Sequence, residues 1–106
     1  KIIAWENIFL NCEDMDVIIN ATSLGMKNGT DFETTIKRHK PELVYYDIIY
    51  NPLETKMIKS FKDKGIITFN GLEMFLYQGQ TSFFLWNKII PTINEELKKE
   101  ITSSFK

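Results

Sequence analysis

Residues 43–52, LVYYDIIYNP, decide the fold class of this chain. The run over residues 43–50 is almost entirely apolar, aromatic or β-branched, and it does not alternate with polar residues as a half-buried strand would. A near-continuous run of this kind is typical of a strand in a parallel sheet. Asn51 and Pro52 then resemble the cap and first turn of a helix, with Glu54 three residues after the cap. The stretch predicts a strand followed at once by a helix.

Further strands lie on both sides of this stretch. Gly65 is expected to end the helix in a left-handed conformation, and residues 65–69 form the next strand candidate. Strand, helix and strand then make one βαβ unit. Residues 16–20 are a short strand candidate, and residues 2–5 are a fourth.

Two more helices follow the last strand. Residues 71–86 predict a long helix that is apolar almost all round, and Thr92 with Glu95 predicts the capped start of a final helix. The fold class is therefore α/β, with about three strands and flanking helices. That is the second half of a Rossmann-type, doubly wound parallel sheet. The glycine-rich phosphate-binding motif of the first half is absent from the sequence.

Composition narrows the class of protein. The 106 residues form a single domain, and 13 basic against 14 acidic residues give a net charge of -1, which does not favour nucleic acid as a partner. One cysteine and one histidine exclude an internal disulfide and make a zinc site improbable. The lone cysteine is compatible with the cytoplasm.

No apolar run approaches the roughly 20 residues of a membrane span. We expect the chain, which begins at Lys1, to start inside a larger fold.

Ligands of parallel α/β sheets bind at the carboxyl ends of the strands, so the residues that follow each strand are the candidates. Residues 20–26 offer small side chains, hydroxyls and a glycine, or form an ordinary turn. Tyr50 follows the second strand, where its hydroxyl would project into a crevice. Gly71 follows the third, where a flat ligand could approach the backbone. Gln78 interrupts the apolar helix with a polar side chain, which faces either a ligand or solvent.

Asp47 lies within the apolar strand itself. A buried carboxylate is costly unless it is hydrogen-bonded. It is either a catalytic base or, as we favour, a structural acid whose hydrogen bonds are satisfied.

Five blocks of the sequence together resemble shikimate dehydrogenase. They are residues 20–26 (NATSLGM), 47–55 (DIIYNPLET), 70–74 (NGLEM), 77–79 (YQG) and 84–86 (FLW). The resemblance covers essentially the whole chain but only the C-terminal part of that enzyme. It implies the C-terminal portion of an NADP-binding domain in a larger, two-domain enzyme that converts 3-dehydroshikimate and NADPH to shikimate and NADP in aromatic amino-acid biosynthesis.

The resemblance also implies roles for individual residues. Thr22 and Ser23 would lie along NADP, and Ile48 and Gly71 would contact its nicotinamide end. The substrate's hydroxyls and carboxylate would be reached by Tyr50 and Gln78. The family's catalytic lysine and aspartate belong to the N-terminal catalytic domain, which this chain lacks. We therefore expect no catalytic residue and no metal ligand here, an inactive isolated chain, and weak NADP binding at best.

Two residues depart from the family pattern, and two alternative functions stay open. Glu73 stands where the family usually has a second glycine, and Gln80 where it usually has a small residue, which puts nearby cofactor contacts in question. One alternative is a quinate-using relative, with NAD as a further option. The other is a non-catalytic binding module that uses the same half-fold and associates with a second copy through the exposed helix 71–86.

Overall fold

The computed structural model describes residues 2–30 and 36–105. A 3-10 helical segment, Trp5–Asp14, comes first. The strands are β1 (Val17–Asn20), β2 (Val44–Asp47) and β3 (Ile67–Phe69). The helices are α1 (Lys56–Lys62), α2 (Leu72–Asn87) and α3 (Glu95–Ser103).

The three strands form one parallel sheet in the order β1-β2-β3. This confirms the α/β class and the three main strands that the sequence predicts. Because the strands are parallel, their carboxyl ends lie at one edge of the sheet. Asn20, the last residue of β1, is the register partner of Asp47, the last residue of β2.

The prediction of a strand over residues 2–5 is wrong. Residues 2–4 have no regular structure and Ile2 is fully exposed, while a 3-10 segment begins at Trp5. The reason is the helical spacing of the apolar residues that follow. Cys12 is fully buried, its thiol lies 3.5 Å from the carbonyl oxygen of Ile8, and Phe9 packs on the core. Burial of these side chains outweighs the β propensity of the first isoleucines.

The core lies on one face of the sheet, beneath α1 and the 3-10 segment. The Tyr45 ring stacks on Phe61 with centroids 4.1 Å apart, and Phe9 meets Phe61 edge-on at 6.4 Å. On the opposite face, side chains of β1 and β3 are more than half exposed: Val17, Ile19, Ile67 and Phe69. Within the described residues, helices therefore cover one face of the sheet, whereas the apolar run of β2 predicted cover on both.

Helix α1 begins later than predicted. Its N-cap is Thr55, not Asn51, and the Asn51-Pro52 peptide bond is cis. The Thr55 hydroxyl accepts a hydrogen bond from the Ile58 amide at 3.2 Å and donates one to Asp47 at 2.8 Å. Because of the bond to Asp47, Thr55 caps the helix in place of Asn51, which the local sequence pattern predicted. The predicted left-handed glycine is confirmed, since Gly65 has φ +76°.

The last two helices match the prediction in number but not in every boundary. Helix α2 spans Leu72–Asn87, within one residue of the predicted range at each end. Helix α3 is capped by Asn94 rather than Thr92, because the side-chain oxygen Oδ1 of Asn94 accepts a hydrogen bond from the Leu97 amide at 2.9 Å. The capping box predicted at Thr92 is therefore wrong by two residues.

Candidate functional site

A cleft of about 420 Å³ opens at the carboxyl ends of β1 and β2. It is lined by Thr22 and by residues 26–28 on one side and by residues 48–51 on the other. Residues 26–28 and Asn51 also line a second cleft of about 610 Å³, which extends to Thr102 and Phe105 near the end of α3. The two clefts share these residues and form one groove along the edge of the sheet where ligands of parallel α/β proteins bind.

Asp47 lies beneath this groove and is completely buried. Its Oδ1 accepts hydrogen bonds from the Asn20 side-chain amide and the Ile49 backbone amide, both at 3.1 Å. Its Oδ2 accepts from the Thr55 hydroxyl at 2.8 Å and from the Tyr45 hydroxyl at 3.3 Å. Of the two roles considered for Asp47, these bonds match the hydrogen-bonded structural acid. A base needs access to its substrate, and this carboxylate has no exposed surface.

Tyr45 supplies one of those donors because it keeps its proton. Burial, followed by the nearby charge of Asp47, raises the pKa of Tyr45 above its ordinary value. Its hydroxyl therefore keeps its proton, and donates to Asp47, at pH values at which an exposed tyrosine would begin to lose it.

Asn20 links Asp47 to the groove through hydrogen bonds of its side-chain amide. Its Nδ2 donates to Asp47 and to the Leu24 carbonyl, so its Oδ1 faces the other way. There it accepts from the Thr22 amide at 3.1 Å and from the Thr22 hydroxyl at 2.6 Å. The Thr22 hydroxyl also accepts from the Leu24 amide at 3.2 Å. Because its one hydrogen is already donated, Thr22 Oγ1 can offer a ligand only a hydrogen-bond acceptor.

The groove brings together three of the predicted site residues, namely Thr22, Ile48 and Tyr50. Ser23 follows Thr22 in an exposed turn, and its carbonyl accepts from the Met26 amide at 3.2 Å. Its side chain does not line the cleft. The proposed roles of these residues toward a cofactor stay predictions.

Gly71 serves the backbone of the neighbouring loop. Its amide donates to the Ile49 carbonyl at 2.9 Å, and a Cβ at this position would lie 1.9 Å from the Ile48 carbonyl oxygen. Only glycine permits that approach. The Ile48 carbonyl thus fills the space beside Gly71, and Gly71 is buried and lines neither cleft. The cofactor contact expected of Gly71 stays a prediction.

Tyr50 is held by aromatic neighbours that the sequence did not identify. Its ring stacks on Phe75 with centroids 4.3 Å apart and lies 5.7 Å from the Phe105 ring. Phe75 comes from α2 and Phe105 from the segment after α3, so both helices fix the position of Tyr50. Apolar residues at such positions resemble ordinary core in a sequence, and no local signal distinguishes them.

Gln78 is exposed on α2 and lines neither cleft. Two polar side chains further along α2 bond within the helix, because the Thr81 and Ser82 hydroxyls donate to the carbonyls four residues earlier at 3.0 and 3.1 Å. The side-chain amide of Gln78 faces solvent in this chain. Its predicted contact with substrate therefore requires a second wall of the binding site, formed by another protein surface that lies opposite α2.

The two residues that depart from the family pattern both tie α2 to the segment that follows it. Glu73 accepts a hydrogen bond from the Lys98 ammonium group of α3. Gln80 donates through Nε2 to the Pro91 carbonyl at 2.8 Å. The negative charge of Glu73 is thus directed at Lys98.

Two features are absent from the residues that the structure describes. No helix in residues 2–30 and 36–105 is both long enough and apolar enough to cross a membrane. Over the same residues, no group of three or more His, Cys, Asp or Glu side chains is placed to hold a metal ion.

Comparison with known proteins places the chain beside the shikimate dehydrogenases. It is 42% identical over 96 residues to the shikimate dehydrogenase (NADP(+)) of Pelagibacter ubique, covering 91% of this chain and 35% of that enzyme. A crystal structure of shikimate dehydrogenase in complex with NADP+ matches with a TM-score of 0.76 and 39% identity, over 86% of this chain and 32% of that one. The shikimate 5-dehydrogenase of Listeria monocytogenes, in complex with shikimate and NAD, matches with a TM-score of 0.67 and 30% identity over 91% of this chain and 33% of that one.

These matches confirm the resemblance found in the five sequence blocks and the Rossmann-type α/β fold. No family model matches the chain. The chain spans about a third of the length of the curated relatives that it matches.

Proposed function

We propose that this chain is the C-terminal part of the NADP-binding domain of a shikimate dehydrogenase, and that the parent enzyme interconverts 3-dehydroshikimate and shikimate with NADP(H). One observation carries the proposal. The chain is 42% identical to such an enzyme over 91% of its length, and two of the blocks that carry the resemblance line one cleft at the carboxyl edge of the sheet.

The cleft has the chemistry that a nicotinamide requires. Ile48 supplies an apolar surface for a flat ring, and the Thr22 hydroxyl supplies an acceptor for an amide or a ribose hydroxyl. In the proposal, Thr22 and Ser23 lie along the cofactor and Ile48 contacts its nicotinamide end. Gly71, which lines neither cleft, serves that end of the site by letting the Ile48 carbonyl approach. The bound cofactor would supply or accept the hydride. The chain has no glycine-rich phosphate turn, so it would hold the cofactor weakly without the rest of the parent.

Substrate recognition is assigned to Tyr50 and Gln78. The Tyr50 ring is fixed by its stack on Phe75, so the hydroxyl is the part of the side chain that would contact the substrate. Gln78 is exposed and has two donors and one acceptor oxygen for a carboxylate or hydroxyl. The second wall that it requires would come from the N-terminal catalytic domain, which would also contribute the catalytic residues. The isolated chain would therefore be inactive, and the parent enzyme would work in the cytoplasm, in keeping with the free, buried Cys12.

A second cofactor is favoured by one specific observation. The Listeria monocytogenes structure, which is 30% identical to this chain, holds NAD together with shikimate. An NAD-using parent therefore stays an alternative, as does the quinate-using relative that the sequence leaves open. In Rossmann-type domains the residues that choose between NAD and NADP contact the adenosine ribose.

The test is a fusion enzyme. This chain would replace the matching C-terminal region of the Pelagibacter ubique enzyme, and NADPH formation from shikimate and NADP+ would be followed by absorbance. We expect an active fusion and an inactive isolated chain. The same assay with NAD+ and with quinate decides between the alternatives. A folded fusion without activity on any of these substrates would support the non-catalytic module instead.

A further inference from the structure

We propose that Asp47 is a positioning residue for the cofactor site, one buried carboxylate that couples the loop after β1 to the loop after β2. The inference rests on the proposed function and adds to it a residue with no assigned role. Asp47 would contact neither cofactor nor substrate and would act through Asn20 and Ile49.

The contacts of Asp47 require a group that only accepts hydrogen bonds. Four donors surround it, two on each oxygen, and all come from within the chain. Asn20 and Ile49 share Oδ1, while Thr55 and Tyr45 share Oδ2. An asparagine here would keep one acceptor oxygen and turn an NH2 group toward two donors, so two of the four bonds would be lost. A buried donor without a partner is costly.

The first arm of the network runs to Thr22. Because the Nδ2 of Asn20 donates to Asp47, the Oδ1 of Asn20 must face the Thr22 amide and hydroxyl. That contact commits the Thr22 hydrogen to Asn20 and leaves Thr22 Oγ1 as an acceptor in the cleft. If the acceptor at Asp47 is removed, the Asn20 amide is free to rotate. Thr22 then loses the partner that sets its direction.

The second arm runs to the opposite wall. Asp47 Oδ1 fixes the Ile49 amide, and the Ile49 carbonyl in turn accepts from Gly71. Ile48 and Tyr50, on either side of Ile49, line the cleft. Asp47 Oδ1 thus accepts hydrogen bonds from both sides of the cleft, from Asn20 and from Ile49. It fixes the position of the two loops relative to each other.

The experiment uses the fusion enzyme and compares Asp47→Asn with Ile66→Val. Ile66 is buried just before β3, at the amino end of the sheet, so its variant loses core packing without touching the groove. We expect Asp47→Asn to raise the KM for NADP+ about tenfold, the effect of losing one to two hydrogen bonds. The KM for shikimate should rise less than the KM for NADP+, because the stack on Phe75 also holds Tyr50 in place. Ile66→Val should leave both values unchanged.

A mutant cycle separates positioning from general loosening of the fold. Thr22→Val alone should raise the KM for NADP+. Adding Asp47→Asn to it should raise that KM by a smaller factor than Asp47→Asn does alone, because the arm to Thr22 is already broken and only the arm through Ile49 remains to be lost. Independent, multiplying effects would overturn the proposal. If Asp47→Asn does not fold, Asn20→Ala breaks the same arm, and an unchanged KM for NADP+ in that variant would equally overturn it.

The proposal can fail separately from the proposed function. If the unmodified fusion neither binds NADP+ nor turns over, the proposed function is wrong, and the coupling is then read from amide hydrogen exchange of the 106-residue chain. Thr22 and Leu24 amides, which bond to Asn20 and Thr22 side chains, must exchange faster in Asp47→Asn. Equal exchange rates in the two chains would overturn the positioning role.

Discussion

Asn20 and Asp47 face each other as register partners at the ends of two parallel strands, and their side chains meet with Asn20 Nδ2 3.1 Å from Asp47 Oδ1. Polar residues at the ends of buried strands would normally remain in solvent. Here the carboxylate is buried, and its bonds extend into both loops and into the cap of α1. The edge of the sheet at which the groove opens is therefore stabilised by polar contacts and not by apolar packing alone.

Thr55 should be sensitive to loss of its hydroxyl. It is buried, caps α1 through the Ile58 amide and donates to Asp47. Thr55→Val keeps the shape but removes both bonds, so we expect a loss of about 1–3 kcal/mol in the free energy of unfolding. Thr55→Ser keeps the hydroxyl and should lose distinctly less. Urea unfolding of both variants measures the difference, and equal losses would show that the hydroxyl contributes nothing.

Gly71 should tolerate no side chain, in contrast to Gly79. A Cβ at Gly71 would lie 1.9 Å from the Ile48 carbonyl oxygen, whereas nothing lies within 4 Å of one at Gly79. We expect Gly71→Ala to displace the loop around Ile48 and to reduce stability and NADP+ binding together. Gly79→Ala, within helix α2, should instead gain about 0.5–1 kcal/mol from helix propensity. Thermal unfolding of the matched pair tests this, and a stable Gly71→Ala chain would contradict the contact with Ile48.

The sequence predicts the layout of the sheet well because β2 has a strong local pattern. A continuous apolar run over residues 43–50 is hard to place except in a parallel sheet, and the α2 pattern is long enough to be unambiguous. Helix starts are predicted less well. Near the start of α1, and again near the start of α3, two residues could each cap the helix. At α1 the hydrogen bond from Thr55 to Asp47, which is distant in sequence, selects Thr55. No local pattern contains that information.

For the candidate site, the sequence predicts the location but not the side-chain contacts. The strand ends locate the groove, so Thr22, Ile48 and Tyr50 come together as the topology requires. Contacts that depend on the direction of a side chain are not predictable in the same way. The approach of Gly71 to Ile48 and the stack of Phe75 on Tyr50 depend on how α2 crosses the loop after β2.

Lys98 should show a measurable response to removal of Glu73. Its hydrogen bond to Glu73, and then that to Glu95, raise the pKa of Lys98. Because folding raises this pKa, the interaction contributes to stability below the ordinary lysine value of about 10.4 and is lost as the pH rises through the raised value. In Glu73→Gln the pKa should fall toward the ordinary value but stay above it, since Glu95 lies 3.2 Å away. Carbon-13 NMR titration of the Lys98 side chain measures both values. Glu96→Gln serves as the control, and a Lys98 pKa unchanged in Glu73→Gln would contradict the pairing.

Cys12 should react slowly with thiol reagents in the folded chain. It is completely buried, and burial raises the pKa of its thiol, so both access and the thiolate fraction are reduced. We expect reaction with a chromogenic disulfide to follow unfolding, with a rate that increases through the urea transition. Rapid reaction in native buffer would show that the 3-10 segment opens independently of the sheet.

The isolated chain should self-associate through α2. The end of this helix and the residues after it carry a run of exposed apolar side chains, from Leu85 at 60% and Trp86 at 80% to Ile89 and Ile90 at 64% and 67%. Such a patch favours association. Sedimentation velocity over a range of concentrations should show a dimer or larger species that Trp86→Arg weakens. The matched control, Ser103→Arg, adds the same charge on the exposed side of α3 and should not weaken it.

The exposed face of the sheet is the competing surface for this association. Phe69, half exposed on β3, lies on that face and can be replaced by lysine without disturbing α2. If Phe69→Lys restores the monomer and Trp86→Arg does not, the sheet and not α2 joins the copies. A wild-type chain that sediments as a monomer at every concentration would exclude both surfaces. Since the proposed N-terminal catalytic domain would stand opposite α2, the fusion enzyme should associate less than the isolated chain.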